Sequence, residues 1–256
     1  LILLRSGVGP ADHLEEVGIP VPLDLPGVGE NLHDHPGAPL AFEPGERAAQ
    51  AREEDVASGR FYESQVILRA RSGAASEGFD LHLVPYQTRS AAREWRYEVL
   101  AFAMAPRSRG SIRLRDKDWR SSPRIDPRFL SDRGGQDLAV LADGLRFARR
   151  LAATGPLATV AREVEPGPAL QDDPKLSAYL RSTVGGYAHP VGTCRLGPAG
   201  DAGAVVDGWG RVHGLENVYV ADASIIPRIP RANTNLTCML LGLRIGDLLA
   251  ADSGSR

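Results

Sequence analysis

The sequence of 256 residues predicts a mixed fold of the α/β (α+β) class. Two kinds of pattern support this prediction. Several runs between about residues 60 and 115 alternate apolar and polar residues over strand-like lengths, as in an antiparallel sheet with one solvated face. The segments 137–153 and 236–251 instead carry apolar residues at helical spacing. Strands and helices segregated along one chain are typical of a mixed architecture.

The individual elements follow from local patterns along the chain. Residues 1–36 contain three glycine- and proline-rich turn clusters, with a short amphipathic helix predicted at 11–17. Helices are also predicted at 137–153 and 174–182, and an interleaving of arginine with aspartate over 107–150 predicts a salt-bridged surface. Strands are predicted in the stretches RFYESQVILRA, FDLHLVPYQ, YEVLAFAMAP, GSIRLR and, buried, NVYVADAS.

The last predicted helix, 236–251, is apolar on both faces, so we expect it to be buried nearly all round. Gly242 and Gly246 would weaken an exposed helix, and they therefore predict a close approach to another backbone or to a planar ligand. The segment is interrupted by Arg244 and Asp247 and is too short to cross a bilayer. We predict no transmembrane segment.

Composition excludes several classes of protein. The formal net charge of −2 offers no clustered positive excess for nucleic acid or for an anionic membrane. Cys194 and Cys238 are too few and too far apart for a disulfide framework or a paired zinc site, which predicts a reducing, cytoplasmic location. The sequence opens at Leu1 within an apolar run that leads directly into a glycine-rich turn, so we expect its beginning to be missing. We therefore make no prediction about targeting signals.

His189, in the stretch AHPVGTCRLG, leaves four roles open. It could ligate a metal with His33, Asp34 and His35, but an H-x-H pattern alone is common and we predict no metal. It could activate Cys194, although no acidic residue stands at an obvious orienting position. It could act as a general base, because histidine exchanges protons near neutral pH. It could also be an ordinary packed loop residue.

A general base that acts on a hydroxyl needs a second polar group to hold the same oxygen. Asn233 lies at the start of the last predicted helix, where its side chain could face a ligand at the positive end of the helix dipole. The simpler reading is that Asn233 or Asn235 is the helix N-cap. The two roles are compatible.

Six motifs in order resemble the C-terminal half of the glucose-methanol-choline (GMC) flavoenzyme oxidoreductases, from Leu3 to Ala250. They are SGVGP, LPGVGENLHDHP, PRSRGSIRLRDKDWRSSPRIDPRFLSD, HPVGTCRLG, VDGWGRVHGLENVYVADASIIP and ANTNLTCMLLGLRIGDLLA. The resemblance implies the C-terminal part of a discontinuous FAD-binding Rossmann-like domain, together with a substrate domain built on an antiparallel sheet with flanking helices. The implied division is 1–36 and 186–256 in the FAD-binding domain and 37–185 in the substrate-binding domain.

The resemblance also implies roles for individual residues. His189 would accept the proton of an alcohol as hydride leaves for flavin N5, and Asn233 would hydrogen-bond the same oxygen. The implied FAD contacts come from a cofactor-covering loop, a strand end and a helix start: Asn31, Asp34, His35, Ala221, Asp222, Thr234 and Asn235. The electron acceptor stays open among oxygen, a quinone and a redox partner.

The family's G-x-G-x-x-G element, which cradles the FAD pyrophosphate, does not occur in this sequence. We therefore expect an incomplete chain that lacks the N-terminal FAD-binding half. Two alternatives remain beside the choline dehydrogenase-like alcohol oxidoreductase: a hydroxynitrile lyase on the same fold, and an inactive truncated fragment.

Overall fold

The computed structural model describes residues 1–64, 66–75, 77–89, 94–155, 157–171 and 173–253. Within them lie the α-helices α1 Ile2–Arg5, α2 Ala11–Glu16, α3 Glu46–Ala57, α4 Gln136–Ala152, α5 Leu157–Val160, α6 Asp173–Thr183 and α7 Asn235–Ser253. The strands are β1 Val8–Gly9, β2 Leu23–Asp24, β3 Pro36–Pro44, β4 Leu68–Ala70, β5 Leu81–Arg89, β6 Trp95–Ala103, β7 Ser111–Arg113, β8 Arg124–Asp126, β9 Ala161–Glu165 and β10 Gly185–Gly186. Gln65 of the first predicted strand and residues 254–256 of the last predicted domain segment lie outside the described residues.

The chain forms two compact units. The first comprises Leu1–Asp34, Arg107–Ser131 and the chain from Ala188 onward, and the second comprises His35–Pro106 and Asp132–Tyr187. The first unit includes 107–131, which falls inside the predicted substrate-binding segment 37–185. The assignment of cofactor and substrate roles to these segments stays a prediction.

The second unit is built on an antiparallel sheet in the order β10-β3-β6-β5-β4, with β9 also paired to β3. The long central pair, β5 and β6, runs from Leu81 opposite Ala103 to Arg89 opposite Trp95. The alternation in the sequence predicts this pair correctly. The predicted strand at 60–70 is largely wrong among its described residues, because Leu68–Ala70 forms a ladder with β5 whereas Glu63 makes one main-chain hydrogen bond to Gln87 and no strand.

Helix α4 covers one face of this sheet with an apolar stripe that includes Leu141, Leu145 and Ala148. Gly144 lies at the point of closest approach, where an added Cβ would stand 2.9 Å from the Cβ of Ala101. The opposite face carries an aromatic pair, since the rings of Phe102 and Tyr187 stack with centroids 3.7 Å apart. The mixed α/β class and the antiparallel sheet with flanking helices are therefore confirmed.

The first unit has its own apolar core. Leu4 of α1, Leu14 of α2 and the loop residues Val205 and Val206 are fully buried there, and Ile245 packs onto them from α7. The strands β1 and β2 form a short parallel pair, and β7 and β8 form an antiparallel hairpin. These small sheets leave most of the unit as loops, which its internal hydrogen bonds hold in place.

Three predictions about the carboxyl-terminal part of the chain do not hold among the described residues. Helix α7 is not buried nearly all round: Leu236, Met239, Leu240 and Leu243 are 64–73% exposed. An added Cβ on Gly246 would meet nothing within 4 Å, so this glycine makes no close approach to the described residues. The stretch NVYVADAS forms no regular strand, because only Tyr219 makes an isolated bridge, with Arg211, before a 3-10 helix at Ala223–Ile225.

The arginine-rich stretch 107–150 is ion-paired, as predicted. Within it Arg146 pairs with Asp143 at 3.1 Å, and Arg149 pairs with Glu163 at 2.8 Å. None of the helices in the described part of the chain is both long and apolar enough to span a membrane.

Candidate active site

His189 is held in a loop whose backbone leaves little freedom. Ala188, directly before it, adopts a left-handed φ of 62°, which is uncommon for a residue other than glycine. Gly192 has a φ of 100°, and a Cβ there would stand 2.4 Å from the carbonyl oxygen of Asn31. Only glycine fits this position, because any side chain would collide with the Asn31 carbonyl.

The loop is fastened on both sides of the histidine. The main-chain N–H of His189 donates to Oδ1 of Asp34 at 3.0 Å. Two residues on, Val191 and His33 exchange main-chain hydrogen bonds of 2.9 and 3.1 Å. The histidine is therefore aimed by hydrogen bonds of its own main chain and of its neighbour Val191.

The imidazole of His189 is 9% exposed, and its Nε2 lies 3.2 Å from Nδ2 of Asn233. An amide nitrogen can only donate, so Nε2 is the unprotonated nitrogen that accepts. Burial lowers the pKa of His189, while the Asp34 carboxylate acts in the opposite direction. The imidazole is thus neutral at pH 7, which is the state a general base requires.

Asn233 lies two residues before the first residue of α7, and its side chain is exposed. It is therefore positioned at the helix entrance, with its amide against the imidazole. Two polar atoms 3.2 Å apart can both reach one hydroxyl oxygen at ordinary hydrogen-bond distances. The structure brings together the two residues that the sequence predicts as catalytic, 44 positions apart.

Asn31 ties three loops to one another. Its Nδ2 donates to the carbonyl oxygen of Gly192 at 3.3 Å, and its Oδ1 accepts from Nε of Arg109 at 3.1 Å. These bonds occupy the side chain within the protein. Its predicted contact with FAD stays a prediction.

His33, which the sequence suggests only as a possible metal ligand, is a fixed structural histidine. It is 1% exposed, its Nδ1 lies 2.7 Å from the carbonyl oxygen of Asn31, and its Nε2 accepts from the main-chain N–H of Ile229 at 2.9 Å. Burial, assisted by the charge of Arg109 and opposed by the Asn31 carbonyl, lowers the pKa of His33 to about 4. In an extended segment His33 and His35, two positions apart, would point to the same side, so the sequence carried no signal that the two histidines have different roles.

The remaining predicted cofactor residues lie in several places. Thr234 is buried, while Asn235 and Ala221 are exposed. Asp222 caps the short 3-10 helix by accepting from the main-chain N–H of Ser224 at 2.8 Å. His35 belongs to the second unit, where it is buried with its ring 6.2 Å from that of Tyr187.

Cys194 is not suited to nucleophilic chemistry. Its side chain is buried, and burial raises the pKa of its thiol. Its main-chain N–H donates to the carbonyl oxygen of Ser224 at 2.8 Å, which makes it part of the loop framework. This agrees with the absence of an orienting acid in the sequence.

The known proteins that this mixed α/β chain resembles are oxidoreductases. Residues 106–242 match the family model described as GMC oxidoreductase. The chain belongs to the GMC oxidoreductase family and corresponds to its C-terminal portion.

Two relatives are the choline oxidase of Arthrobacter globiformis and the 5-(hydroxymethyl)furfural oxidase of Methylovorus sp. (strain MP688). The first is 37% identical over 97% of this chain and 46% of its own length, and the second is 38% identical over 97% and 48%. A solved structure that concerns FAD modification in Aspergillus oryzae RIB40 formate oxidase has the same fold, with a TM-score of 0.84 at 21% identity over 99% of this chain and 52% of that one. The chain spans about half the length of the relatives it matches.

Proposed function

We propose that this chain carries the proton-transfer half of an FAD-dependent alcohol oxidation, in which a CH–OH group becomes a carbonyl. The observation that carries the proposal is the pair of atoms Nε2 of His189 and Nδ2 of Asn233, 3.2 Å apart. A hydroxyl oxygen that lies beside the pair, within hydrogen-bond reach of both atoms, donates its proton to the imidazole and accepts from the amide. The pair thus both deprotonates and holds one oxygen.

The environment of His189 supports this role. Because burial keeps the imidazole neutral, a substrate hydroxyl meets an unprotonated nitrogen without a prior ionisation step. The proton leaves positive charge on the ring, and the Asp34 carboxylate, which accepts from the main chain of His189, stabilises that charge. The Asn233 amide at the same time hydrogen-bonds the oxygen on which negative charge develops.

The chain offers donors that fit a flavin beside this pair. The first turn of α7 has main-chain N–H groups at the positive end of the helix dipole, next to the exposed Asn235. Thr234, Asn235, Ala221 and Asp222 would hold FAD on the first unit, and Asn31, Asp34 and His35 would come from the covering loop. When bound, FAD supplies the acceptor for the hydride that leaves the carbinol carbon.

Other parts of the proposal concern the whole enzyme. The curated relatives are named for choline and 5-(hydroxymethyl)furfural, which supports a small alcohol as the substrate. The electron acceptor is oxygen, a quinone or a redox partner. We also propose a cytoplasmic location, on the basis of two free cysteines and no disulfide among the described residues.

The test is anaerobic flavin reduction by alcohols in the FAD-loaded enzyme that contains this chain, followed by absorbance. His189→Gln should slow reduction by about 100-fold or more with flavin content unchanged. His213→Gln is the matched control, because that histidine lies in the same unit but contacts the carbonyl oxygen of Gly197 instead. No bleaching with any alcohol, or an equal rate in the His189 variant, would refute the proposal; cyanohydrin cleavage without bleaching would indicate a lyase.

A further inference from the structure

The second unit contains an apolar cavity between its antiparallel sheet and the carboxyl-terminal end of α4. We call this space the sheet cavity. Its volume is about 470 Å³, which falls within the range of about 300–1,000 Å³ that is usual for small-molecule sites. The described residues that line it all belong to the second unit, whereas His189 and Asn233 belong to the first. The cavity is therefore not formed by the proposed catalytic pair.

Small side chains on α4 keep the sheet cavity open. The apolar stripe of this helix begins with Leu141 and Leu145 and continues, at helical spacing, with Ala148 and Ala152. These two alanines line the cavity, and so does Ala161 at the start of β9. Because a methyl group reaches less far than a leucine side chain, the last turns of α4 cover the sheet without filling the space beneath them.

The alternation of side chains along β6 places the sheet cavity on one face of the sheet. Val99 lines the cavity, and Ala101, two positions on, faces Gly144 of α4. Phe102 points to the other face, where its ring stacks on that of Tyr187. The cavity therefore lies on the face of the sheet opposite to this aromatic pair.

Apolar residues form both the floor and the mouth of the sheet cavity. Leu83 and Ala148 are fully buried in its floor. Val66 and Leu68 line its open side, and they are 62% and 40% exposed. Water in such a space finds few hydrogen-bond partners, whereas an apolar molecule would remove the surface of these side chains from water. The lining therefore favours an apolar occupant.

The two charged residues among the described lining residues both have partners of opposite charge within the protein. Arg52 pairs with Asp55 at 2.7 Å and donates to Oε1 of Gln87 at 3.2 Å. Glu98 pairs with Nε of Arg96 at 3.1 Å. An ionic group on a ligand would give up its hydration here without meeting a charge that still needs a partner. The charges at the cavity therefore favour an uncharged ligand.

We propose that the sheet cavity binds an uncharged, largely apolar small molecule, held by burial of its apolar surface between the sheet and α4. Helix α3 provides a route of entry, because it contributes Arg52 to the cavity and none of its residues is buried. An element with so little buried surface can give way locally at low cost. The proposal does not depend on the alcohol chemistry proposed above.

The test is binding of two probes, N-phenyl-1-naphthylamine and 8-anilinonaphthalene-1-sulfonate, to the FAD-loaded enzyme that contains this chain. The two probes share one ring system and differ by a sulfonate, so their comparison isolates the effect of ligand charge. Equilibrium dialysis measures the bound probe without interference from the absorbance of the flavin.

Two variants with matched controls locate the bound probe. Ala152→Trp fills the sheet cavity, and its control Ala153→Trp changes the exposed neighbouring residue, which does not line the cavity. Leu68→Asp places a charge at the mouth, and its control Ile67→Asp changes an adjacent, 47% exposed residue outside the lining. Circular dichroism and flavin content verify that each variant is folded, and the Leu68 pair decides the outcome if Ala152→Trp does not fold.

We expect one saturable site for N-phenyl-1-naphthylamine, with a Kd about tenfold or more below that of the sulfonate. Ala152→Trp and Leu68→Asp should each weaken this binding by about tenfold or more, and their controls by less than about twofold. Absence of saturable binding, or equal binding by the variants and their controls, would overturn the proposal. Tighter binding of the sulfonate would identify an anion as the occupant and would also overturn it. An enzyme that binds the neutral probe as expected but is reduced by no alcohol leaves this inference intact and refutes the proposed function.

Discussion

The lowered pKa of His33 predicts that the protein loses unfolding free energy in mild acid. With a folded pKa of about 4 and an ordinary value of 6.5, the folded protein leaves this imidazole neutral while the unfolded chain protonates it. Falling pH therefore favours the unfolded chain from about pH 6.5 down to about pH 4, below which both states are protonated. At 1.36 kcal/mol per pKa unit, the lowered pKa of His33 reduces the free energy of unfolding by about 3 kcal/mol across this pH range.

The measurement is urea unfolding at a series of pH values, for the wild-type chain and for His33→Gln. The variant should be less stable by about 1–3 kcal/mol at pH 7, because a glutamine side chain cannot reproduce both the contact with the Asn31 carbonyl and the acceptor for the Ile229 N–H. Since glutamine does not titrate, the gap between the two chains should close or reverse as the pH falls to 4. The pKa values of His13 and His189 are also lowered, but these two histidines are present in the wild-type chain and in the variant, so they do not change the difference between the two stability curves. Parallel stability curves would show that the buried His33 does not stay neutral and would refute the reasoning.

Three further outcomes are expected. Asn233→Ala should slow flavin reduction by about 100-fold at an unchanged melting temperature; a loss of about 1 kcal/mol of stability with little change in rate would indicate a helix-capping role instead. Asp34→Asn keeps an acceptor for the main chain of His189 but removes the charge that raises the pKa of His189, so the acid limb of the kcat/KM profile should move to lower pH; an unmoved limb would contradict this. Gly192→Ala should cost about 2–4 kcal/mol in denaturant unfolding, while Gly200→Ala, whose Cβ meets nothing within 4 Å, should cost little; equal effects would show that the Asn31 contact imposes no constraint.

The sequence predicts those parts of the fold whose cause is local. The alternation in β5 and β6 and the apolar spacing of α4 are visible because one face of each is covered and the other is wet. The stretch before Leu68 fails because its β-branched and aromatic residues remain exposed: Val66 and Tyr62 are each 62% exposed. A high intrinsic β-propensity does not produce a strand where no neighbouring strand pairs with the segment.

The candidate site shows the same limit. The helix start suggests Asn233 as a candidate partner of His189, but the family resemblance is what implies that both hold one oxygen, because no local pattern relates residues 44 positions apart. The role of His33 depends on Ile229, 196 positions away, and no spacing rule predicts such a bond. The exposure of α7 was missed because periodicity identifies apolar residues but does not show what covers them.

The left-handed conformation of Ala188 has a consequence for engineering of the loop. A non-glycine residue in this region of φ costs roughly 1–2 kcal/mol, so replacement by glycine is the substitution a stability screen would select. Glycine would also widen the range of orientations open to the peptide that precedes the imidazole. Selection for heat resistance and selection for turnover are therefore expected to favour different residues at this single position.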